Sequence, residues 1–208
     1  MTIHPLQYLS HKAFNWIFRN NRIGNFEGIH LSSLNHETEA FLRVITRSLA
    51  LIRDHDPRRF KRVKEQVTTL ADEPLHTGAL SASYLHYIKA VRIDFALEEK
   101  RGDEMYHAAY FAGVIVHEAT HGHISHRGIG YTADNRRQVE RICCAEQNRF
   151  LERLRKSFPE LPGSLIHPYD PSAWEVSWTI NPLKRAVVEF KRNGAKGNRG
   201  NAGNRDRR

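Results

Sequence analysis

The chain is poor in cysteine: of 208 residues only Cys143 and Cys144 qualify, and they are adjacent. Neighbouring cysteines rarely bridge each other, because the ring they would close is strained. A disulfide framework within one chain is therefore excluded, and nothing points to an oxidising compartment. Methionine is equally scarce, at positions 1 and 105 only. No uninterrupted apolar stretch approaches the ~18 residues that a membrane-crossing helix needs. The first ten residues lack the charged start and apolar run of a signal peptide. The expectation is a soluble, cytoplasmic protein.

Excess charge is also missing from most of the chain. The formal net charge is +9. From Lys191 onward there are seven basic residues and one acid, Asp206, so the last 18 residues carry +6 and the first 190 only +3. A basic body that would track a nucleic acid is thus not indicated. The stretch 193–208 holds no apolar residue larger than Ala, so it cannot join a core. We expect one domain over residues 1–190 and a basic, disordered tail over 191–208.

Hydrophobic periodicity gives the elements. Phe14, Ile17 and Phe18 suit a short docked helix near 10–20, followed by a loop or strand near 26–31. Phe41, Val44, Ile45, Leu49 and Ile52 recur at helical spacing. Pro57 restarts a second helix, read to about Leu70, with Arg58, Arg59, Lys61, Arg62 and Lys64 on a solvated face. Pro74–Gly78 reads as a loop, and residues 79–97 hold one or two strands, with Val91–Phe95 alternating apolar and charged. Glu98–Asp103 reads as a charged turn. A helix is expected from about Asp103 to Ser125, ended by Gly128 and Gly130. Another follows from about Asn135 to Ser157, with Val139, Ile142, Cys143, Phe150, Leu151 and Leu154 inward. Residues 163–182 read as irregular. The fold class is α+β, mostly helical with a small sheet.

Within the first of these long helices lies His117-Glu118-Ala119-Thr120-His121. Residues four apart sit about 40° from each other around a helix, so both imidazoles reach one space. That spacing suits two nitrogens on one tetrahedral zinc ion, Zn2+. Glu118 is about 100° from His117 and about 60° from His121, where a carboxylate flanks the metal and can take a proton from its water. This is the H-E-x-x-H arrangement of metalloproteases.

A catalytic zinc takes a third protein ligand. The metzincin continuation H-E-x-x-H-x-x-G-x-x-H fails: Ile124 stands at the Gly position, Arg127 at the third His, and no methionine follows for the Met-turn. Glu140 is the first Glu after the motif, with 18 residues between it and His121, enough for a helix end, a turn and an antiparallel return. At His117, Glu118, His121 and Glu140 the chain resembles the gluzincin branch of the zincin metallopeptidases. The resemblance covers residues 80–155. It implies His117, His121 and Glu140 as zinc ligands, Glu118 as general base, and a shallow sheet packed over the active-site helix. An edge strand of that sheet, within residues 84–97, would hold an extended peptide substrate. Departures are Cys144, where many gluzincins place a supporting Asp four beyond the ligand Glu, and His123 after Gly122. Glu146 also faces inward on the helical wheel and is the rival third ligand.

The expected chemistry is hydrolysis of a peptide bond in a peptide or protein substrate. Tyr131, His126, His167 and Tyr169 are candidates for stabilising the oxyanion, and His123 reads as an ordinary surface side chain. Two other readings stand beside this one. The chain can be a non-catalytic zincin-like protein that binds zinc and a partner, or a basic nucleic-acid-binding protein using Arg58–Lys64 and the tail. The intact Glu118 disfavours the first, since a structural site needs no base. The modest charge of the body disfavours the second, leaving at most weak tail contact.

Overall fold

A computed structural model describes residues 5–35, 38–73, 82–95 and 103–171, with backbone alone for 5–12. The expected loop at 74–78, most of the charged turn at 98–103, the end of the irregular stretch and the expected boundary at 190 lie outside them. The chain divides into two compact units, Met1–Tyr169 and Asp170–Arg208. Of the second only Asp170 and Pro171 are described, and everything below concerns the first. Among the described residues no helix is long and apolar enough to cross a membrane.

The architecture is α+β. In chain order the helices are α1 (Pro5–Asn20), α2 (Thr38–His55), α3 (Pro57–Gln66), α4 (Glu104–His126) and α5 (Arg136–Ser157), with a 3-10 turn at Gly163–Leu165. The strands are β1 (Arg22–Phe26), β2 (Ile29–Ser33), β3 (Thr69–Asp72), β4 (Ala82–Leu85) and β5 (Ala90–Ile93). They form one mixed sheet in the order β1-β2-β3-β5-β4. β1 and β2 make an antiparallel hairpin around Glu27 and Gly28, both at positive φ, as a two-residue turn between right-twisted strands requires. β2, β3 and β5 run parallel, and β4 returns antiparallel along β5 as the edge. β4 and β5 are the strands expected at 79–97, β2 falls on the loop or strand expected near 26–31, and β1 and β3 enlarge the sheet beyond what the sequence suggests.

Side chains alternate across the sheet, and each face has its own cover. Leu31, Leu70, Val91 and Ile93 point into the main core with Phe41, Ile45, Leu49 and Ile52 of α2 and Phe111 and Ile115 of α4. Ala71 and Ala90 face the other way, against Phe14, Ile17 and Phe18 of α1. Docking on the sheet is therefore what the aromatic stripe of α1 does. α4 is buried almost all round from His107 to Thr120, as a central helix must be. Gly113 lets α5 come close, since a Cβ there would lie 3.1 Å from a methyl of Leu151.

Three expectations are corrected. α3 stops at Gln66, and Leu70 belongs to β3. The i, i+3 spacing of Val67 and Leu70 fits a helix, but Val67 is already extended. Ile142 is exposed on α5 instead of facing inward. On α3, Arg59 and Arg62 are not solvated: their side chains are 12% and 19% exposed and pair with Glu146 of α5.

Candidate metal centre

The H-E-x-x-H motif occupies the C-terminal half of α4. Asp103 starts that helix, its carboxylate accepting the backbone N–H of Tyr106 at 2.7 Å. Gly128, at φ +81, lets the chain leave it. The turn to α5 then brings a stripe of that helix, Glu140, Cys143, Cys144 and Gln147, towards the two motif histidines. These positions are 0, 3, 4 and 7 in a helix, hence one face.

Three donors converge. His117 Nε2 lies 3.1 Å from Glu140 Oε2, His121 Nε2 lies 3.5 Å from Glu140 Oε1, and the two Nε2 atoms are 3.2 Å apart. Ligands about 2.0–2.1 Å from a shared tetrahedral metal lie roughly 3.3 Å from one another. The two nitrogens stand at the separation of two ligands on one zinc ion, and the Glu140 carboxylate turns one oxygen towards each ring at a similar distance. Glu146, the rival, is taken up elsewhere: Arg59, Arg62 and Arg149 pair with it at 3.2, 2.9 and 2.6 Å.

Supports for the donors are also in place. The far nitrogen of His117, Nδ1, is 3.1 Å from Gln147 Oε1. With Nε2 given to a metal, Nδ1 carries the proton and donates it to that amide oxygen, which fixes ring and tautomer. The Tyr131 hydroxyl donates to Glu140 Oε1 at 2.7 Å, and its ring meets His121 edge-on at 5.5 Å. Sequence reasoning missed Gln147. The only available signal was its place two turns beyond Glu140 on the same face.

The electrostatics assign a form to each group. Burial works against charge on His117, but hydrogen bonds with Cys144 and Glu140 outweigh it and raise its pKa. Burial would likewise raise Glu140, yet hydrogen bonds from His117 and His121 hold it down, so it is a carboxylate. Glu118 is pushed up, first by burial, although both histidines oppose this. A raised carboxylate is a better base than a free one. Its neighbour across the edge strand is Tyr84, whose phenol is pushed up to about 12 by burial and by the charge of Glu118. That hydroxyl donates to the Gln66 carbonyl at 2.7 Å and packs on Gly122. Thus β4, the sheet's edge, runs beside the motif helix.

A fourth donor stands close. Cys143 Sγ lies within 4.8 Å of a ring nitrogen of both His117 and His121, and the side chain is fully buried. Burial, reinforced by Glu140 and Glu118, pushes its thiol well up, so Glu140 is the donor already charged. Of the other candidates, Tyr169 has a buried hydroxyl with no hydrogen-bond partner among the described residues. Burial and the fields of Glu140 and Cys144 raise its pKa. His126 and His167 are exposed.

Searches against protein-family models, curated proteins and solved structures each return no match to this chain.

Proposed function

We propose that the chain is a zinc-dependent peptidase. The observation that carries this reading is the convergence of His117 Nε2, His121 Nε2 and the Glu140 carboxylate at 3.1–3.5 Å, with the buried Glu118 in the same motif. A donor set of two imidazoles and one carboxylate suits zinc and leaves a coordination position free. A zinc ion there supplies Lewis acidity, acidifying water and polarising a carbonyl.

The chain's own groups do the rest. His117, His121 and Glu140 hold the ion. Gln147 fixes the His117 ring, and Tyr131 fixes the carboxylate. Glu118 takes a proton from water and hands it to the leaving amine. Among the described residues β4 is an edge strand beside α4, and its outer side can hold an extended peptide by strand addition. Tyr169, with its unsatisfied hydroxyl near Glu140, is our first choice for the oxyanion donor.

A second reading has one observation in its favour. With Cys143 as a further ligand, four protein groups would close the site into a structural one. Metal analysis and peptide hydrolysis on the same samples separate the two readings. A peptidase keeps its zinc and gains no loss of activity in Cys143→Ser, whereas a structural site sheds zinc in that variant and hydrolyses nothing in any form.

A further inference from the structure

A cleft opens on the α1 side of the sheet, at the N-terminal ends of β2 and β3 and beside the β4–β5 turn. Its main compartment, about 450 Å³, includes Asn15, Arg19, His30, Thr69, Tyr87 and Lys89 in its walls. A second one of about 250 Å³ shares Arg19, His30 and Thr69 and adds Arg22. None of the residues of the metal centre lines either compartment.

The walls hold no carboxylate. Arg43, Arg47, Arg53, Arg59, Arg62 and Arg92, outside the cleft, each meet an acid. Arg19, Arg22 and Lys89 have no ion pair among the described residues. The His30 imidazole is held below its ordinary value, first by burial and then by the charges of Arg22 and Arg19. Lys89 is held at φ +48, a backbone conformation seldom taken by residues other than Gly, Asn and Asp. Two bonds from Thr68 to its carbonyl and one from its ammonium to the Glu65 carbonyl at 2.9 Å fix it there. Among the described residues that leaves two of its three ammonium donors without a partner. At the rim stands Tyr87, an aromatic ring 49% exposed.

We propose that this cleft binds a nucleoside phosphate. Arg19, Arg22 and Lys89 supply charge-assisted donors to the phosphate oxygens, and the half-exposed ring of Tyr87 lies in the cleft wall, where a base would lie against it. The volume lies in the range of small-ligand sites. The inference does not depend on the reading of the metal centre.

Isothermal titration of the full-length protein as purified with ADP, adenosine and inorganic phosphate tests it. ADP should bind more tightly than either part alone. Arg19→Ala with Lys89→Ala should weaken ADP binding by about tenfold or more. The pair Arg58→Ala with Lys61→Ala, on α3, should leave it unchanged. ADP should also protect Lys89, and not Lys61, from an amine-acylating reagent in the wild type, a readout that needs no variant. No ADP binding up to on the order of 1 mM overturns the proposal. So does equal weakening by the two variant pairs, unprotected Lys89, or a single-stranded oligonucleotide that outcompetes ADP at these residues.

Discussion

Glu140 and Glu146 stand six positions apart on α5 and have opposite surroundings. The first meets two imidazoles and a tyrosine hydroxyl; the second meets three arginines. Glu140→Ala should strip zinc from the purified protein, while Glu146→Ala should leave one zinc per chain by elemental analysis; the reverse pattern would move the third ligand. Glu118→Gln keeps every donor and removes the base, so it should abolish peptide hydrolysis with zinc content unchanged. Gln147→Ala should weaken zinc binding by about 10–100-fold in a chelator competition, the usual cost of losing the group that orients a ligand histidine. The i, i+4 spacing made the two histidines and Glu118 legible from sequence, because helix geometry alone puts them together. Only the distance from His121 favoured Glu140 over Glu146, since both face inward on the wheel. Arg59 and Arg62, over 80 positions away in the chain, draw Glu146 off, and such long-range pairing leaves no trace in spacing. Gln147 was illegible for the same reason.

Helices were easier to read than strands. α2, α4 and α5 carry their own start signals, apolar periodicity and breakers, so their limits follow within a few residues. The five strands have only four or five residues each, and β3 owes its conformation to β2 and β5 on either side. The contact of β4 with α4 is a matter of elements too. A Cβ on Gly122 would lie 2.6 Å from the Tyr84 hydroxyl, 2.8 Å from its Cζ and 2.9 Å from Gln66 Cβ. Gly122→Ala should therefore push β4 off α4 and lower the melting temperature. Overpacking costs about 1–3 kcal/mol, or several degrees at this chain length by about 2–4 °C per kcal/mol. Combined with Tyr84→Ala, the loss should be smaller than the sum of the two single variants, because the two nearest clashing atoms are gone and only Gln66 Cβ remains. Strict additivity in calorimetry would mean that the two elements do not press on each other there.

At the scale of the molecule, α3 and α5 are joined by charge. Asp56 caps α3 and pairs with Arg59, with Arg153 at 3.6 Å, and Glu146 gathers Arg59, Arg62 and Arg149 from both helices. This network lies alongside the motif helix, since Arg62 also reaches the Thr120 hydroxyl at 3.4 Å. Burial alone would raise the pKa of Glu146, but hydrogen bonds from Arg62 and Arg149 and the charge of Arg59 hold it below the ordinary 4.5. A carboxylate depressed in the folded state binds fewer protons there than in the unfolded chain. Its contribution is present above pH 4.5 and is lost as the pH falls through its folded pKa. Glu146→Gln should accordingly melt below the wild type at pH 7, and the gap should narrow steadily below pH 4.5 as the wild-type carboxylate takes up a proton. Thermal melts at both ends of that range check it. A gap that stays constant with pH would show that Glu146 acts through shape and hydrogen bonding alone, and that its negative charge does nothing to clamp α3 onto α5.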